Sequence, residues 1–145
     1  MKKNYIKTEF PSTSINEAMA RSVAAVFAAR LDPTLEELGD IKTAVSEAVT
    51  NAIVHAYPDS IGRIVLRCSV SEDRRLEISV RDWGCGIENV DRAREPLFTT
   101  GGEDRSGMGF TIMESFMDKV KVRSKPGSGT TVIMTRRIPG RANGT

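Results

Sequence analysis

The sequence has few cysteines, no long hydrophobic run and almost no excess of charge. Its only cysteines, Cys68 and Cys85, form no Cys-x-x-Cys motif and no framework of disulfides, which agrees with a reducing compartment. The basic start of the chain leads into alternating, charged residues, so we expect neither a signal peptide nor a membrane span. The 21 basic and 19 acidic side chains leave a net charge of +2, which is too even to indicate a nucleic-acid partner. These absences predict a cytoplasmic protein with no nucleic-acid or membrane partner.

Two common nucleotide-binding signatures are also missing. No Gly-x-Gly-x-x-Gly follows a predicted strand, and no Gly-x-x-x-x-Gly-Lys-Ser/Thr occurs anywhere in the chain. A nucleotide site in this protein would therefore belong to neither the dinucleotide-binding class nor the P-loop class.

The hydrophobic pattern has a helical period in three segments. Residues 14–31 and 34–57 each begin with a capping-box pattern, at Ser14 to Glu17 and at Thr34 to Glu37, and a third helix is expected from about 107 to 117. The first helix is expected to bury an apolar stripe made of Ile15, Met19, Val23, Val26 and Phe27.

The remaining ordered segments alternate with a period of two. Residues 5–10 predict one strand, and residues 63–82 and 119–137 predict two antiparallel hairpins. A short helix is expected over 88–94. The resulting order predicts an α+β two-layer sandwich, with helices on one face of a mixed, mainly antiparallel sheet. Residues 1–145 form one domain in this prediction, with a frayed tail from about residue 138.

The second helix carries one polar stripe on an otherwise apolar run. At about 100° per residue, Asn51 and His55 follow Glu47 roughly 40° and 80° further round the helix. Taken alone, a polar stripe is most often a solvated helix face. Its interpretation therefore depends on the rest of the chain.

Two glycine-containing segments give the stripe a chemical context. Asp82-x-Gly84-x-Gly86 breaks a strand, and Gly107-x-Gly109 opens a helix behind the long non-periodic segment 96–106. Helix N-termini bind phosphate, and glycines let it approach the backbone closely. An aspartate can accept a hydrogen bond from an exocyclic amine, and an asparagine offers an oxygen to Mg²⁺. Together the segments indicate a nucleotide site.

These three segments resemble the N, G1 and G2 boxes of the GHKL ATPases, which include gyrase and the histidine kinases. The run Gly129-Thr130-Thr131 resembles the final threonine motif of that family. Residues 45–52, 96–100 and 105–114 are very similar to the corresponding segments of the anti-sigma F factors of sporulation, which are also serine kinases. The similarity runs from about residue 10 to 131.

The resemblance implies a fold, cofactors and partners. The fold would be the GHKL (Bergerat) ATP-binding fold, and the cofactors would be ATP and Mg²⁺. The partners would be a sporulation sigma factor, an anti-anti-sigma protein of the STAS type as the serine substrate, and a second copy in a homodimer.

The resemblance also implies roles for individual residues. Glu47 would be the general base, and Arg105 would meet the terminal phosphate from a mobile lid. Asn51 would ligate Mg²⁺, Asp82 would bind the adenine amino group, and Arg21 would contact the sigma factor. The other residues expected at the nucleotide are His55, Gly84, Gly86, Thr99, Thr100, Ser106, Gly107, Met108, Gly109 and Thr130. For His55, a packed or hydrogen-bonded role stays open.

Two alternative functions stay open as well. One is a histidine-kinase-like ATPase domain, against which His55 argues, because the only histidine lies inside the expected ATP site. The chain also leaves no room for a helical phosphoacceptor domain. The other is an ATP-dependent anti-sigma binding module of a related stress-response switch, without kinase activity.

Overall fold

The computed structural model describes residues 2–86 and 108–140 of the chain, with side chains described over 4–86 and 109–140. Five strands form a single sheet: β1 (Lys2–Pro11), β2 (Arg63–Ser71), β3 (Arg75–Asp82), β4 (Lys119–Lys125) and β5 (Gly129–Arg137). Their order across the sheet is β1-β2-β3-β5-β4, and all four pairings are antiparallel. Within the described residues the sheet is thus antiparallel throughout, in line with the mainly antiparallel sheet that we expected.

Helices cover one face of this sheet. They are α1 (Asn16–Ala29), α2 (Leu35–Asn51), a π-helical turn (Ala52–Ala56) that continues α2, and α3 (Met108–Phe116). The central helix is α2, which packs against α1 on one side and α3 on the other. This arrangement confirms the predicted α+β two-layer sandwich. None of the helices in the described ranges is long and apolar enough to cross a membrane.

The core lies between the two layers, as the alternating patterns predict. On β2 and β3 the side chains of Ile64, Leu66, Cys68 and Ile78 are fully buried against the helices. Burial raises the pKa of the Cys68 thiol to about 12, since the thiolate would lose its hydration. Cys68 therefore serves as a small apolar core residue.

The apolar stripe predicted for α1 is wrong at three of its positions. Ile15, Met19 and Val26 are 81%, 62% and 75% exposed. The face of α1 that packs against the core is made mainly of alanines together with Phe27. Alanines allow close approach to α2, whose inner face is also rich in alanine and valine. The sequence pattern missed this face because alanine contributes little to a hydrophobic period.

The two capping boxes have different outcomes. At α2 the box forms: Glu37 N donates to Thr34 Oγ1 over 3.0 Å, and Thr34 N donates to Glu37 Oε1 over 2.8 Å. At α1 the predicted box is wrong, because the helix has no side-chain cap. The Glu17 carboxylate instead binds Arg21 and Ser46, which offer it a cation and a hydroxyl.

The chain beyond β5 stays attached to the domain for longer than predicted. Ile138, where we expected the frayed tail to begin, is fully buried. Its amide donates to Arg74 O over 3.0 Å, and Arg74 Nε donates to Ile138 O over 2.8 Å. Arg74 lies in the β2–β3 turn with φ of 65°, so this turn holds the end of the described chain. The short helix predicted over 88–94 lies outside the described residues.

Candidate functional site

The polar stripe occupies the C-terminal half of α2 and the π-helical turn. Glu47 and Asn51 lie one α-helical turn apart and are both half-buried. His55 is also half-buried, but it belongs to the π-helical turn, where the backbone winds more widely than in an α-helix. The regular 40° step from Asn51 to His55 therefore does not hold. Such π-helical turns are frequent at functional sites.

The first turn of α3 lies directly beside this stripe. A Cβ atom added to Gly109 would lie 3.1 Å from Asn51 Nδ2 and 3.3 Å from both Asn51 Oδ1 and Glu47 Oε1. The polar stripe and the Gly107-x-Gly109 segment thus meet at the first turn of α3. The amides of a helix N-terminus favour the binding of anions. Gly109 is also the residue that keeps the space between the two elements open.

The Asp82-x-Gly84-x-Gly86 segment packs against the end of the π-helical turn. A Cβ on Gly84 would lie 2.2 Å from Ala56 O, so only glycine fits here. The next residue, Cys85, donates from its amide to Ala56 O over 3.2 Å and from Sγ to His55 O over 3.0 Å. These bonds satisfy carbonyls that a helix end leaves without an intrahelical partner.

Gly86 makes the second close approach, on the opposite side of the segment. It has a φ of +78°, and a Cβ there would lie 2.1 Å from Lys125 O in the β4–β5 hairpin. Gly127 N donates to Cys85 O over 2.7 Å in the same region. The segment is therefore fixed between the end of the π-helical turn and the β4–β5 hairpin. Its two glycines stand where the backbone approaches Ala56 on one side and Lys125 on the other.

Asp82 ends β3 and is buried, with only 5% of the residue exposed. Its Oδ1 accepts from Gly84 N over 2.9 Å and from Thr130 N over 3.1 Å. Burial raises the pKa of Asp82, while these two backbone hydrogen bonds lower it in part. Both bonds go to Oδ1, so the carboxylate is held in one orientation by the backbone on each side.

Thr130 lies next to Asp82 on the neighbouring strand β5, as expected from the sequence motif. It is buried, and its Oγ1 shares a 2.8 Å hydrogen bond with Ser124 Oγ. Gly129 precedes it with a φ of +93°, and a Cβ there would lie 2.2 Å from Asp82 O. The glycine therefore lets the two strands close around the aspartate.

Sequence reasoning missed Tyr57 and Ser124 as neighbours of the site. The Tyr57 hydroxyl accepts from Trp83 N over 2.7 Å and donates to Arg63 O over 2.7 Å, which ties the end of the π-helical turn to β2 and to the glycine segment. The position of Tyr57 directly after the stripe was the only available signal. Ser124 gave none, because its partner lies on another strand.

Several expected site residues cannot be placed. Thr99, Thr100, Arg105, Ser106 and Gly107 lie outside the described residues. Only the backbone of Met108 is described, at the first position of α3.

The oxygens beside Gly109 suit the magnesium ion that the resemblance implies. The described residues contain no cluster of three or more His, Cys, Asp or Glu side chains that would hold a metal alone. Mg²⁺ at nucleotide sites is held by phosphates, water and only one or two protein oxygens. Asn51, with Glu47 beside it, offers oxygens of that kind next to a helix N-terminus, so the residues fit a metal that arrives with phosphate.

Arg21, the expected partner-binding residue, lies on α1 and is hydrogen-bonded to α2. Its Nη1 donates to Glu17 Oε2 over 2.9 Å and to Ser46 Oγ over 3.2 Å. The ion pair is half-buried, so it is more than an exposed pair on one helix. Ser46 directly precedes Glu47, and the Arg21 network thus contacts the helix that carries the stripe.

Comparisons with known proteins agree with this geometry. A family model described as "Histidine kinase-like ATPase domain" matches residues 10–136. A protein of Pasteuria penetrans named "Anti-sigma F factor" is 54% identical over 99% of this chain and 97% of its own length. A protein of the same name from Clostridium acetobutylicum is 54% identical over 95% of this chain and 96% of its own length.

Solved structures share the fold at lower identity. The RsbU and RsbW domains of a Mycobacterium tuberculosis protein give a TM-score of 0.69 at 22% identity, covering 94% of this chain and 33% of theirs. A blue-light activated histidine kinase of Erythrobacter litoralis gives 0.63 at 24% identity, covering 88% of this chain and 42% of its own. These likenesses support the fold alone.

Proposed function

The chain belongs to the histidine kinase-like ATPase family and, within it, to the anti-sigma F factors, and from this premise we propose that it binds and inhibits a sporulation sigma factor and phosphorylates an anti-anti-sigma protein on serine. Its domain is of an ATP-using, kinase-like class. The observation that carries the kinase proposal is the convergence of Glu47 and Asn51 on Gly109 at the start of α3.

The phosphate end of ATP would lie at this convergence. Amides of the first turn of α3 would bind phosphate oxygens, and Gly109 leaves them room to approach. Asn51 would provide one ligand to Mg²⁺. When bound, Mg²⁺ would neutralise phosphate charge during transfer. From the undescribed part of the chain, Arg105, Ser106, Gly107, Thr99 and Thr100 would complete the phosphate contacts.

Glu47 would act as the general base for the transfer. Its carboxylate is half-buried beside Gly109, and it would accept the proton of the attacking serine hydroxyl as that oxygen bonds to the terminal phosphorus. The leaving group is ADP. A glutamate in this position separates a kinase from a passive nucleotide binder, because binding alone requires no base.

The adenine end would lie at Asp82 and Thr130. The carboxylate is fixed through Oδ1 by two backbone amides, which leaves Oδ2 to accept from the adenine amino group. Thr130 would support the base through a water molecule. His55 would border the site from the π-helical turn, with a packed role still open.

The sigma factor would bind at α1, with Arg21 contacting an acidic patch.

The homodimer would use the other exposed features of this region. The exposed Ile15, Met19 and Val26 lie on one face of α1, and β1 is an edge strand of the sheet. An exposed apolar face and an unpaired strand edge are features of surfaces that associate. They support the proposal of a homodimer formed through β1 and α1.

The test is incubation of the chain with MgATP, a sporulation sigma factor and a candidate anti-anti-sigma protein of the STAS type. Phosphoserine on the last protein, found by mass spectrometry, is the expected result. Sigma binding that depends on ATP, with the anti-anti-sigma protein unmodified, would instead support a binding module without kinase activity. Failure to bind any sporulation sigma factor would contradict the proposal.

A further inference from the structure

The face of the sheet that points away from the helices is strongly basic. It carries a shallow trough of about 480 Å³, whose charged residues are Lys7, Glu9, Arg63, Arg67, Arg81 and Arg123. One carboxylate thus faces five cations in a chain whose net charge is only +2. The strand period of two places these residues on the face opposite the core, so the overall composition hides the concentration of charge.

The cations of this basic trough are held by aromatic rings and not by ion pairs with the described carboxylates. Among the described residues, none of the five basic groups takes part in an ion pair. Three of them instead lie over aromatic rings: Arg63 and Arg81 are 3.7 Å and 4.5 Å from the Trp83 ring centre, and Arg67 is 4.8 Å from that of Tyr5. The rings hold the guanidinium groups in place without neutralising them.

The sheet register arranges the cations in two rows. Lys7 pairs with Arg67, and the same cross-strand row reaches Lys121 on β4. The next row contains Arg81 and Arg123, which both pair with the same residue of β5. The rows are two residues apart along the strands, or about 7 Å. Double-stranded DNA carries about one negative charge per 1.7 Å of its axis, so cations in two such rows can meet several phosphates at once.

We propose that this basic trough binds the phosphate backbone of double-stranded DNA without reading its sequence. Arginine dominates the trough, and its planar guanidinium binds phosphate with two parallel hydrogen bonds. A protein partner would be expected to find an apolar centre, whereas eight of the ten residues that line this trough are charged or polar. A membrane would require exposed apolar groups, but the aromatic ring that lines the trough, that of Trp83, lies beneath the guanidinium groups of Arg63 and Arg81.

The experiment measures fluorescence anisotropy of a labelled 20-base-pair duplex of arbitrary sequence, titrated with the full chain at several salt concentrations. Binding is expected to weaken with salt, with a slope of about −3 to −5 on a log–log plot. The double variant Arg81→Glu/Arg123→Glu should bind at least about tenfold more weakly and lower the slope by about two. The milder Arg81→Gln/Arg123→Gln should shift both quantities in the same direction.

The matched control is Arg30→Glu/Lys42→Glu, which changes the charge equally at exposed positions of the helical layer. It should alter DNA affinity by less than about threefold. Circular dichroism and ATP binding check that each variant is folded. Equal loss of DNA binding in both double variants would overturn the proposal. So would full competition by poly-glutamate at equal charge, or preferential binding to phosphatidylserine vesicles or to an RNA duplex.

Discussion

Arg21 donates from Nη1 to Ser46 Oγ over 3.2 Å and so joins α1 to the helix of the polar stripe. Ser46 also donates to the Glu17 carboxylate, so that three side chains form one network between the helices. Because Ser46 directly precedes Glu47, occupation of Arg21 by a partner would act one residue away from the proposed base. This contact gives the proposed partner surface a physical connection to the proposed nucleotide site.

Arg21→Glu is expected to weaken sigma-factor binding by about tenfold or more, because it places a like charge against an acidic partner and against Glu17. ATP binding should be retained. Pull-down with the sigma factor and a nucleotide titration measure the two effects. Arg30→Glu is the control, since that arginine lies at the end of α1 over Phe27 and outside the network. Unchanged sigma affinity in Arg21→Glu would exclude this surface.

Glu47→Gln should abolish phosphotransfer while nucleotide and sigma binding persist. The amide keeps the shape of the side chain but accepts no proton, and a general base contributes about 10²- to 10⁴-fold to rate. Transfer of labelled phosphate to the anti-anti-sigma protein measures the effect. Glu36→Gln, in the exposed first turn of the same helix, should transfer at the wild-type rate. Undiminished transfer by Glu47→Gln would disprove the assignment.

Asp82→Asn should reduce ATP affinity by about 10- to 100-fold and leave the fold intact. The amide oxygen still accepts from Gly84 N and Thr130 N, but its NH₂ group opposes the adenine amino group. Isothermal titration with ATP measures the loss. GTP has an oxygen where ATP has the amino group, so the substitution should reduce the affinity for GTP less than the affinity for ATP. Equal losses for both nucleotides would contradict base recognition by Asp82.

The same substitution should change how stability depends on pH. Burial raises the folded-state pKa of Asp82 above its ordinary value of 3.8, so between these two pKa values the folded chain binds more protons than the unfolded chain. The free energy of unfolding contributed by Asp82 therefore falls as pH rises from 3.8 through the folded-state pKa. Asp82→Asn removes that fall. Denaturant unfolding of both proteins across this range measures the difference, and parallel curves would show that Asp82 titrates normally.

The fold was largely predictable because its information is local. Alternation and capping residues specify the strands and α2, whereas the inner face of α1 depends on how closely alanines let two helices approach. The site was less predictable. Asp82 and Thr130 are 48 residues apart and meet only through strand pairing. Only the resemblance to a family predicted that both belong to one site. The π-helical turn has no counterpart in a 3.6-residue period, so the position of His55 could not be predicted.

Gly109→Ala is expected to lower both ATP affinity and phosphotransfer by about tenfold. The new methyl group would lie 3.1 Å from Asn51 Nδ2 and 3.3 Å from Glu47 Oε1, which forces the proposed metal ligand and the proposed base to move. Gly39→Ala is the matched control. It lies inside α2 with nothing within 4 Å of its added Cβ, and it should stabilise the protein by about 0.5–1 kcal/mol with activity unchanged. Thermal unfolding measures the stability of both variants, and phosphotransfer measures their activity. If Gly109→Ala loses activity and Gly39→Ala does not, the result supports a phosphate site between α2 and α3. Full activity in Gly109→Ala would instead show that the contact between these helices is a packing contact without a nucleotide.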